Sequence, residues 1–382
     1  MDSVQLFAKI DELYPEYIKV FEDVCSIESP TYNKEAVDRV GSYFADMARA
    51  RGWHVETLKQ EKAGDPVVIT LNYGVDAAPV AMSGHIDTVH PIGAFSYPAV
   101  RIDENNIYGP GVMDCKGGVV ASFLAMDALD KCGFRARPVQ LLIQTDEEVG
   151  SSLSEKATIN YICEKAKNAV AFLNTEGGEY GNAVIERKGI LRAEIRVKGI
   201  AAHSSVCTKA ANAVAEAAHK LLELEKMKDE KGLTCNCGVI SGGTTPNTVA
   251  ESCKFTVDIR FANARQLKMA ESEIKRVVDT VYVNGCGSEY EIISLRPAME
   301  LCERNIKLLE SINRVNAEVG LEPLVAREEP SGSDAAYATI AGIPSIDNIG
   351  VVGDFIHSTR EYAELKSLVH SARQLAAVAA FI

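Results

Sequence analysis

MSGHIDTVHP, Met82 to Pro91, follows the apolar run APVAM and sets His85, Asp87 and His90 in close succession where a strand runs out. Successive side chains on a strand point to opposite faces, so His85 and Asp87 share one. A histidine that binds a metal commonly gives its second ring N–H to a carboxylate, which fixes its tautomer. H-x-D on one strand supplies that arrangement, or two ligands. Alone it is equally a surface histidine paired with an aspartate. His90, just before Pro91, reads as an ordinary loop residue.

Further acidic and imidazole groups recur at similar places along the chain. YGPGVMDCKGG, Tyr108 to Gly118, is a tight Gly/Pro loop leading into a helix, with Asp114 close to the helix start. Asp114 there either caps the helix or meets an ion that the glycines let approach. QTDEEVGS, Gln144 to Ser151, ends an apolar strand in three consecutive acids. Adjacent carboxylates repel unless a cation or shared protons offset the repulsion. In extended backbone Glu147 and Glu148 project differently, so one can bind a metal while the other handles a proton; a solvated loop explains them too. FLNTEGG adds Glu176 after another apolar run, and GDFIHSTREY adds His357. Nitrogen and oxygen donors of this kind suit zinc, and a bridging carboxylate suits a pair of ions.

The surrounding pattern alternates short apolar runs (PVVITLN, APVAMS, VQLLIQT) with helical stretches such as VVASFLAMDALDK. That predicts a mainly parallel sheet covered on both faces, with ligands gathering where strands end. Helices are also expected over residues 3–25, with Pro15 as a break or start, and over 35–51. After Glu186 the character changes. LRAEIRVKG and CKFTVDIRF alternate as half-exposed strands, with helices expected at 209–226 and 265–282. After RPAM, Arg296 to Met299, the α/β flavour returns, with helices near 304–319 and from Leu365. The expected architecture is therefore a discontinuous α/β catalytic domain over 1–186 and 296–382, with an inserted α+β domain over 187–295. A chain of 382 residues is long enough for two such cores.

The net charge of −13 disfavours nucleic-acid or anionic-membrane partners, which need a positive surface. No apolar run reaches the length of a membrane span, and MDSVQLFAKIDELYPEY shows no signal peptide. The ten cysteines then read as free thiols in a cytoplasmic protein. Cys235 and Cys237 form a C-x-C that lacks the second pair of a zinc ribbon.

With these motifs in view the chain resembles the two-zinc metallohydrolases that include glutamate carboxypeptidase, aminoacylase, acetylornithine deacetylase and succinyl-diaminopimelate desuccinylase. SGHIDTV, YGPGVMDCKGG, TDEEVGS, TEGG, AAHSS, TTPNTVAE, DIRF, SGSDAAY and HSTREY carry the resemblance, in family order over most of the chain. YGPG, RPAM and SDAAYA resemble the glutamate carboxypeptidase branch in particular. The resemblance implies that His85 and Glu176 bind one zinc ion, Glu148 and His357 the other, and that Asp114 bridges them. It makes Asp87 the residue that orients His85, Glu147 the general base, and His203 an oxyanion donor contributed by the partner subunit of a homodimer through the inserted dimerisation, or lid, domain. It gives Asn247, Arg260, Arg296 and Gly332 to substrate binding. Cobalt or manganese would fit similar ligands. Two departures stand out. Cys115 follows Asp114, where the family often has acidic or small polar residues; it either packs or touches the metal. Glu176 is followed by Gly177 where the family often has proline. The expected activity is hydrolysis of an amide that releases a C-terminal amino acid, glutamate being one possibility, from a small peptide or N-acyl conjugate. An N-acyl-amino-acid deacylase is the first alternative, and a silent amino-acid-binding relative the second.

Overall fold

The computed structural model describes residues 2–229 and 232–382. The chain divides into two compact units. One comprises Met1–Ile185, Leu301–Glu328 and Asp334–Ile382; the other comprises Glu186–Glu300 and Glu329–Ser333. The short return at 329–333 was not foreseen, because it lies among exposed polar residues with no periodicity to mark it.

The larger unit is built on a six-stranded sheet in the order His54–Thr57, Val67–Leu71, Val139–Gln144, Val80–His85, Ala171–Asn174 and Ser345–Ile346. The last four strands run parallel, and the first two add antiparallel pairings at one edge. Its central strands are buried almost throughout because both faces are covered, and alternate residues enter different cores. Val67, Ile69, Met82, Leu141, Ile143 and Leu173 join the core under the helices Ser3–Ser26, Lys34–Ala50, Lys116–Lys131 and Leu365–Phe381. Val68, Ala81, Leu142 and Phe172 meet Ile159, Ile162 and Ala338 on the other face.

The helix Lys116–Lys131 is buried at all but its last two residues and packs against both Ser3–Ser26 and Leu365–Phe381. Pro15 does not interrupt the first of these. Ser3–Ser26 runs through it, since Leu6, Ile10, Leu13, Tyr17, Phe21 and Val24 form one continuous buried stripe whose packing offsets the lost backbone hydrogen bond.

The smaller unit is an antiparallel sheet in the order Thr234–Gly242, Ser252–Phe261, Gly189–Lys198 and Gly287–Arg296, with helices Ala213–Leu224 and Ala264–Asp279. Along Gly189–Lys198, Leu191, Ala193, Ile195 and Val197 are buried while Arg192, Arg196 and Lys198 are exposed, the half-covered pattern that the sequence shows. The expected helix from Lys209 starts instead at Ala213. Ser204–Lys209 forms a tighter turn, and the Asn212 side chain caps the helix by accepting from Val214 and Ala215 N–H. Between the two helices, Lys220 is buried beside Glu216 at 3.0 Å and donates to the Val277 and Val278 carbonyls, filling the unpaired C-terminal end of Ala264–Asp279.

Candidate metal centre and active site

Three neighbouring parallel strands end within two residues of one another in register. His85 is paired in register with Gln144, and Ser83 with Asn174. The chain leaving each strand therefore delivers its next residues to one edge of the sheet: His85 and Asp87 from the first, Glu147 and Glu148 from the second, Glu176 from the third. Ligands collect at the carboxyl ends of strands in such sheets for this reason.

Asp114 arrives from the loop before Lys116–Lys131. This helix lies against the strand Val80–His85 and the loop at Thr175. A Cβ on Gly118 would stand 1.9 Å from the Thr175 carbonyl oxygen, so glycine is what permits the approach. Glu361 then fixes the loop. Its buried carboxylate accepts from the N–H groups of Gly111 at 3.1 Å, Met113 at 2.9 Å and Asp114 at 3.0 Å. His357 comes from a turn held by an antiparallel pair, Gly353–Asp354 with Tyr362–Glu364. Phe355 and His357 both have left-handed backbone, with φ of +61° and +59°, a conformation that costs energy for such side chains and recurs at functional sites.

The resulting geometry is bidirectional about Asp114. Its Oδ1 lies 2.9 Å from His85 Nε2 and its Oδ2 lies 3.0 Å from His357 Nε2. Glu148 approaches His357 Nε2 at 3.2 Å, and Glu176 approaches His85 Nε2 at 3.7 Å. Single donor atoms of His85, Asp114 and Glu148 all lie within 4.8 Å of one another, as do those of His85, Cys115 and Glu176. The Cys115 thiol is buried and donates to the Thr175 carbonyl at 3.1 Å.

Asp87 holds several of these groups at once. Its side chain accepts from Thr31 Oγ1 at 2.8 Å and from the N–H groups of Glu147 and Glu148, each at 3.2 Å. His85 Nδ1 donates to the Asp87 backbone carbonyl at 3.0 Å, with the carboxylate behind it at 3.4 Å. The orienting acceptor is thus mainly the main chain of Asp87. His90 is buried with its Nε2 3.9 Å from Glu361, edge-on to Phe95.

Electrostatics explain why such a group is tolerated. Burial, with the Asp114 charge nearby, pushes the Glu148 carboxyl up to about 8. Burial pushes Glu176 up to about 7, and the charges of Asp114 and Glu147 add to it. Burial also opposes ionisation of Asp114, but hydrogen bonds from His357 and His85 outweigh it and hold its carboxyl far below the usual range. The partnership with Asp114 and Glu148 lifts His357 to about 10. With His85 Nδ1 committed to a carbonyl, its Nε2 faces only carboxylate oxygens, and so does that of His357. Lone pair then faces lone pair unless a proton or cation stands between them. That donor set, two imidazoles and two carboxylates about the carboxylate of Asp114, suits divalent-cation binding.

The remaining sequence-derived residues lie in the smaller unit. His203 Nδ1 is 2.8 Å from Ser205 Oγ, and Asn247 accepts through its backbone from Ser204 N–H, so His203 and Asn247 are neighbours. Arg260 and Arg296 are both paired in register with Ile190, from the two strands flanking it. The two arginines therefore stand in one row on one face, about 9–10 Å apart along the hydrogen-bonding direction. A Cβ on Gly332 would meet Arg296 Cδ at 3.1 Å and Ile190 Cδ1 at 3.3 Å, placing Gly332 against the same row. Arg260 Nε also donates to Asp258 at 2.7 Å. Neither Cys235 nor Cys237 belongs to a candidate metal group among the described residues. Glu361 was missed in the sequence, although it stands four residues after His357 inside HSTREY; an acid with no obvious partner carries no periodic signal.

Comparison with known proteins agrees with this picture. A family profile described as "Peptidase dimerisation domain" matches residues 185–286, and one described as "Peptidase family M28" matches 67–231. Carboxypeptidase G2 from Pseudomonas sp. (strain RS-16) is 26% identical over 96% of this chain and 89% of its own length. Acetylornithine deacetylase from Myxococcus xanthus is 27% identical over 82% of this chain and 83% of its own. Among solved structures, a tripeptidase from Staphylococcus aureus superposes with a TM-score of 0.78 at 21% identity, covering 96% of this chain and 97% of that one. An M20-family metallo-carboxypeptidase from Sulfolobus solfataricus gives 0.72 at 16% identity, covering 95% and 98%. These two likenesses speak to the fold: an α/β unit with a mostly parallel sheet, into which a dimerisation domain is inserted. Over most of its length the chain is thus similar to carboxypeptidase G2 and to acetylornithine deacetylase, metal-dependent hydrolysis of peptide or acyl-amino-acid bonds being the activity these likenesses support.

Proposed function

We propose that this metal-dependent hydrolase of peptide or acyl-amino-acid bonds cleaves an amide to release a C-terminal amino acid, glutamate being one candidate, from a small peptide or N-acyl conjugate. The observation that carries the reading is the split of the two Asp114 oxygens between His85 and His357, with Glu147 held next to the cluster through Asp87. His85 and Glu176 are assigned to one ion, Glu148 and His357 to a second, and Asp114 to both. Zinc is the proposed metal, with cobalt and manganese suited to the same donors. Bound there, a pair of divalent cations would polarise the scissile carbonyl and acidify a water.

The chain's own residues do the rest. Asp87 keeps His85 in the tautomer whose Nε2 faces the cluster. Glu147 takes a proton from the attacking water as its oxygen bonds to the carbonyl carbon. It then gives that proton to the leaving nitrogen as the C–N bond breaks, so a carboxylate and a free amino acid result. His203, contributed by the second copy of a homodimer, is assigned to donating a hydrogen bond to the developing oxyanion. Arg260 and Arg296, with Asn247 and Gly332, are assigned to the substrate's α-carboxylate, which guanidinium groups recognise through charge-assisted hydrogen bonds. The peptidase dimerisation profile supports the homodimer. A cytoplasmic location is proposed from the ten cysteines, all of them free in the structure. Among the described residues no helix is long and apolar enough to cross a membrane.

Turnover of dipeptides, glutamyl conjugates and N-acetyl amino acids, measured together with metal content, tests the reading. Glu147→Gln is expected to keep its metal and lose about 10²–10⁴-fold in turnover. Near-normal turnover removes Glu147 from the acid–base role. Deacylation is the second reading, favoured by the acetylornithine deacetylase relative. Preference for N-acetyl amino acids over peptides in the same panel would select it.

A further inference from the structure

Beside the carboxylate cluster, and wholly within the larger unit, lies an open cleft of about 490 Å³. Glu148 forms part of its wall, so the cleft borders the proposed metal centre at that residue. Tyr32, Val89, Pro91, Ile92 and Val149 supply most of the rest, and no lysine or arginine contributes. Its polar residues are turned to other duties. Thr31 donates its hydroxyl to Asp87, Asn33 accepts through its side chain from Ala36 N–H, and the Thr88 hydroxyl is buried beneath the surface. What faces the opening is mainly carbon. Tyr32 is 78% exposed and Ile92 55% exposed, so both are open to solvent at the cleft.

Resting on the proposed amide hydrolysis, we infer that this cleft is the subsite for the acyl side of the substrate and selects a neutral aromatic or large aliphatic side chain there. The size falls within the usual range for small-molecule sites, roughly 300–1,000 Å³. The walls give an apolar group somewhere to lose water. Their side chains offer an anionic acyl group no lysine or arginine to pair with. Arg260 and Arg296, proposed to hold the carboxylate of the leaving amino acid, belong to the other unit and do not line this cleft.

The test is a matched substrate set sharing one leaving amino acid and differing in the acyl side: N-acetylphenylalanyl, N-acetylglycyl and N-succinyl. The metal-loaded protein is expected to favour the phenylalanyl member over the glycyl one in kcat/KM by about 10–200-fold, the discrimination a hydrophobic pocket provides, with the succinyl member poorest. Tyr32→Ala and Ile92→Ser, both at exposed positions, should reduce that ratio about tenfold or more. Tyr73→Ala, an exposed tyrosine outside the cleft, should not change it. A wild-type ratio near one, a succinyl preference, or variants with an unaltered ratio would overturn the assignment. If no member turns over with metal bound, the hydrolase reading fails and the cleft is judged by calorimetric binding of N-acetyl-L-phenylalaninamide. About tenfold weaker binding to Ile92→Ser supports the subsite, and equal affinity overturns it.

Discussion

Replacing Glu361 with alanine removes the clamp on the Asp114 loop. Three N–H groups, of Gly111, Met113 and Asp114, now share one buried carboxylate at 2.9–3.1 Å. Hydrogen bonds to a charged group contribute about 1.5–3 kcal/mol each, and a buried donor left unpaired costs about 1–3 kcal/mol. Water entering the vacated space restores part of this, so the expected loss for the metal-free protein is about 3–5 kcal/mol. The loop also positions the proposed bridging ligand. Groups that orient ligands typically matter about 10–100-fold in metal affinity. Glu361→Gln provides the graded control. Its amide oxygen can serve Met113 and Asp114, but its NH₂ would then face the Gly111 N–H, donor against donor, so about one bond's worth is lost. The order of stability should be wild type, then Gln, then Ala. Denaturant unfolding of the metal-free proteins gives the first quantity, and competition for metal against a chromophoric chelator gives the second. Alanine and wild-type proteins that match in both would refute the clamp. A loss of stability with unchanged metal affinity would leave Glu361 as a packing group only.

Other substitutions probe separate parts of the molecule. Lys220→Met strips the partner from buried Glu216 and uncaps Ala264–Asp279; a loss of about 3–5 kcal/mol is expected in denaturant unfolding, with part recovered by adding Glu216→Gln. Burial raises the Asp65 carboxyl, but the bonds from Lys34, Lys59 and the Gln60 N–H outweigh it and hold it below its ordinary value. Its contribution to stability is therefore present above about pH 4 and disappears as pH falls through the lower folded value, and Asp65→Asn should flatten that acid limb of the stability profile. Chelation should lower the thermal midpoint and abolish turnover, with zinc, cobalt or manganese restoring both; a midpoint indifferent to chelator would contradict a metal site in the cluster. His203→Ala should slow turnover while metal content, measured by elemental analysis, stays at the wild-type level.

The residues that could be read from the sequence share one property. Each stands at a change of pattern, where an apolar run gives way to a polar residue. His85, Glu148 and Glu176 follow strands that the composition marks clearly, and parallel topology brings such ends together. Asp114 and His357 are different. Their loops have no periodicity, and only the family motifs place them in the set; their convergence depends on contacts across 247 residues, such as that between Asp114 and Glu361. Periodicity also misjudged Pro15, because a local rule about one missing N–H could not register how much apolar surface the whole helix Ser3–Ser26 buries. The cleft at Tyr32 and Ile92 was illegible for a related reason: its walls come from three segments, at Pro30–Asn33, Thr88–Ile92 and Glu148–Val149, and single exposed apolar residues are commonplace in sequence.

The helix Ser3–Ser26 rests on Lys116–Lys131 and on Leu365–Phe381. A ribosome making this protein therefore releases a strongly amphipathic segment some 340 residues ahead of its final neighbour. At about 5–20 residues per second, that stripe of leucine, isoleucine and phenylalanine waits on the order of tens of seconds before it can be fully sheltered. His357 emerges in the same late window, so a cation that arrives early meets half a cage. Chaperone dependence during expression, and premature-stop variants that aggregate although they retain four of the five proposed ligands, are the cellular marks of that delay.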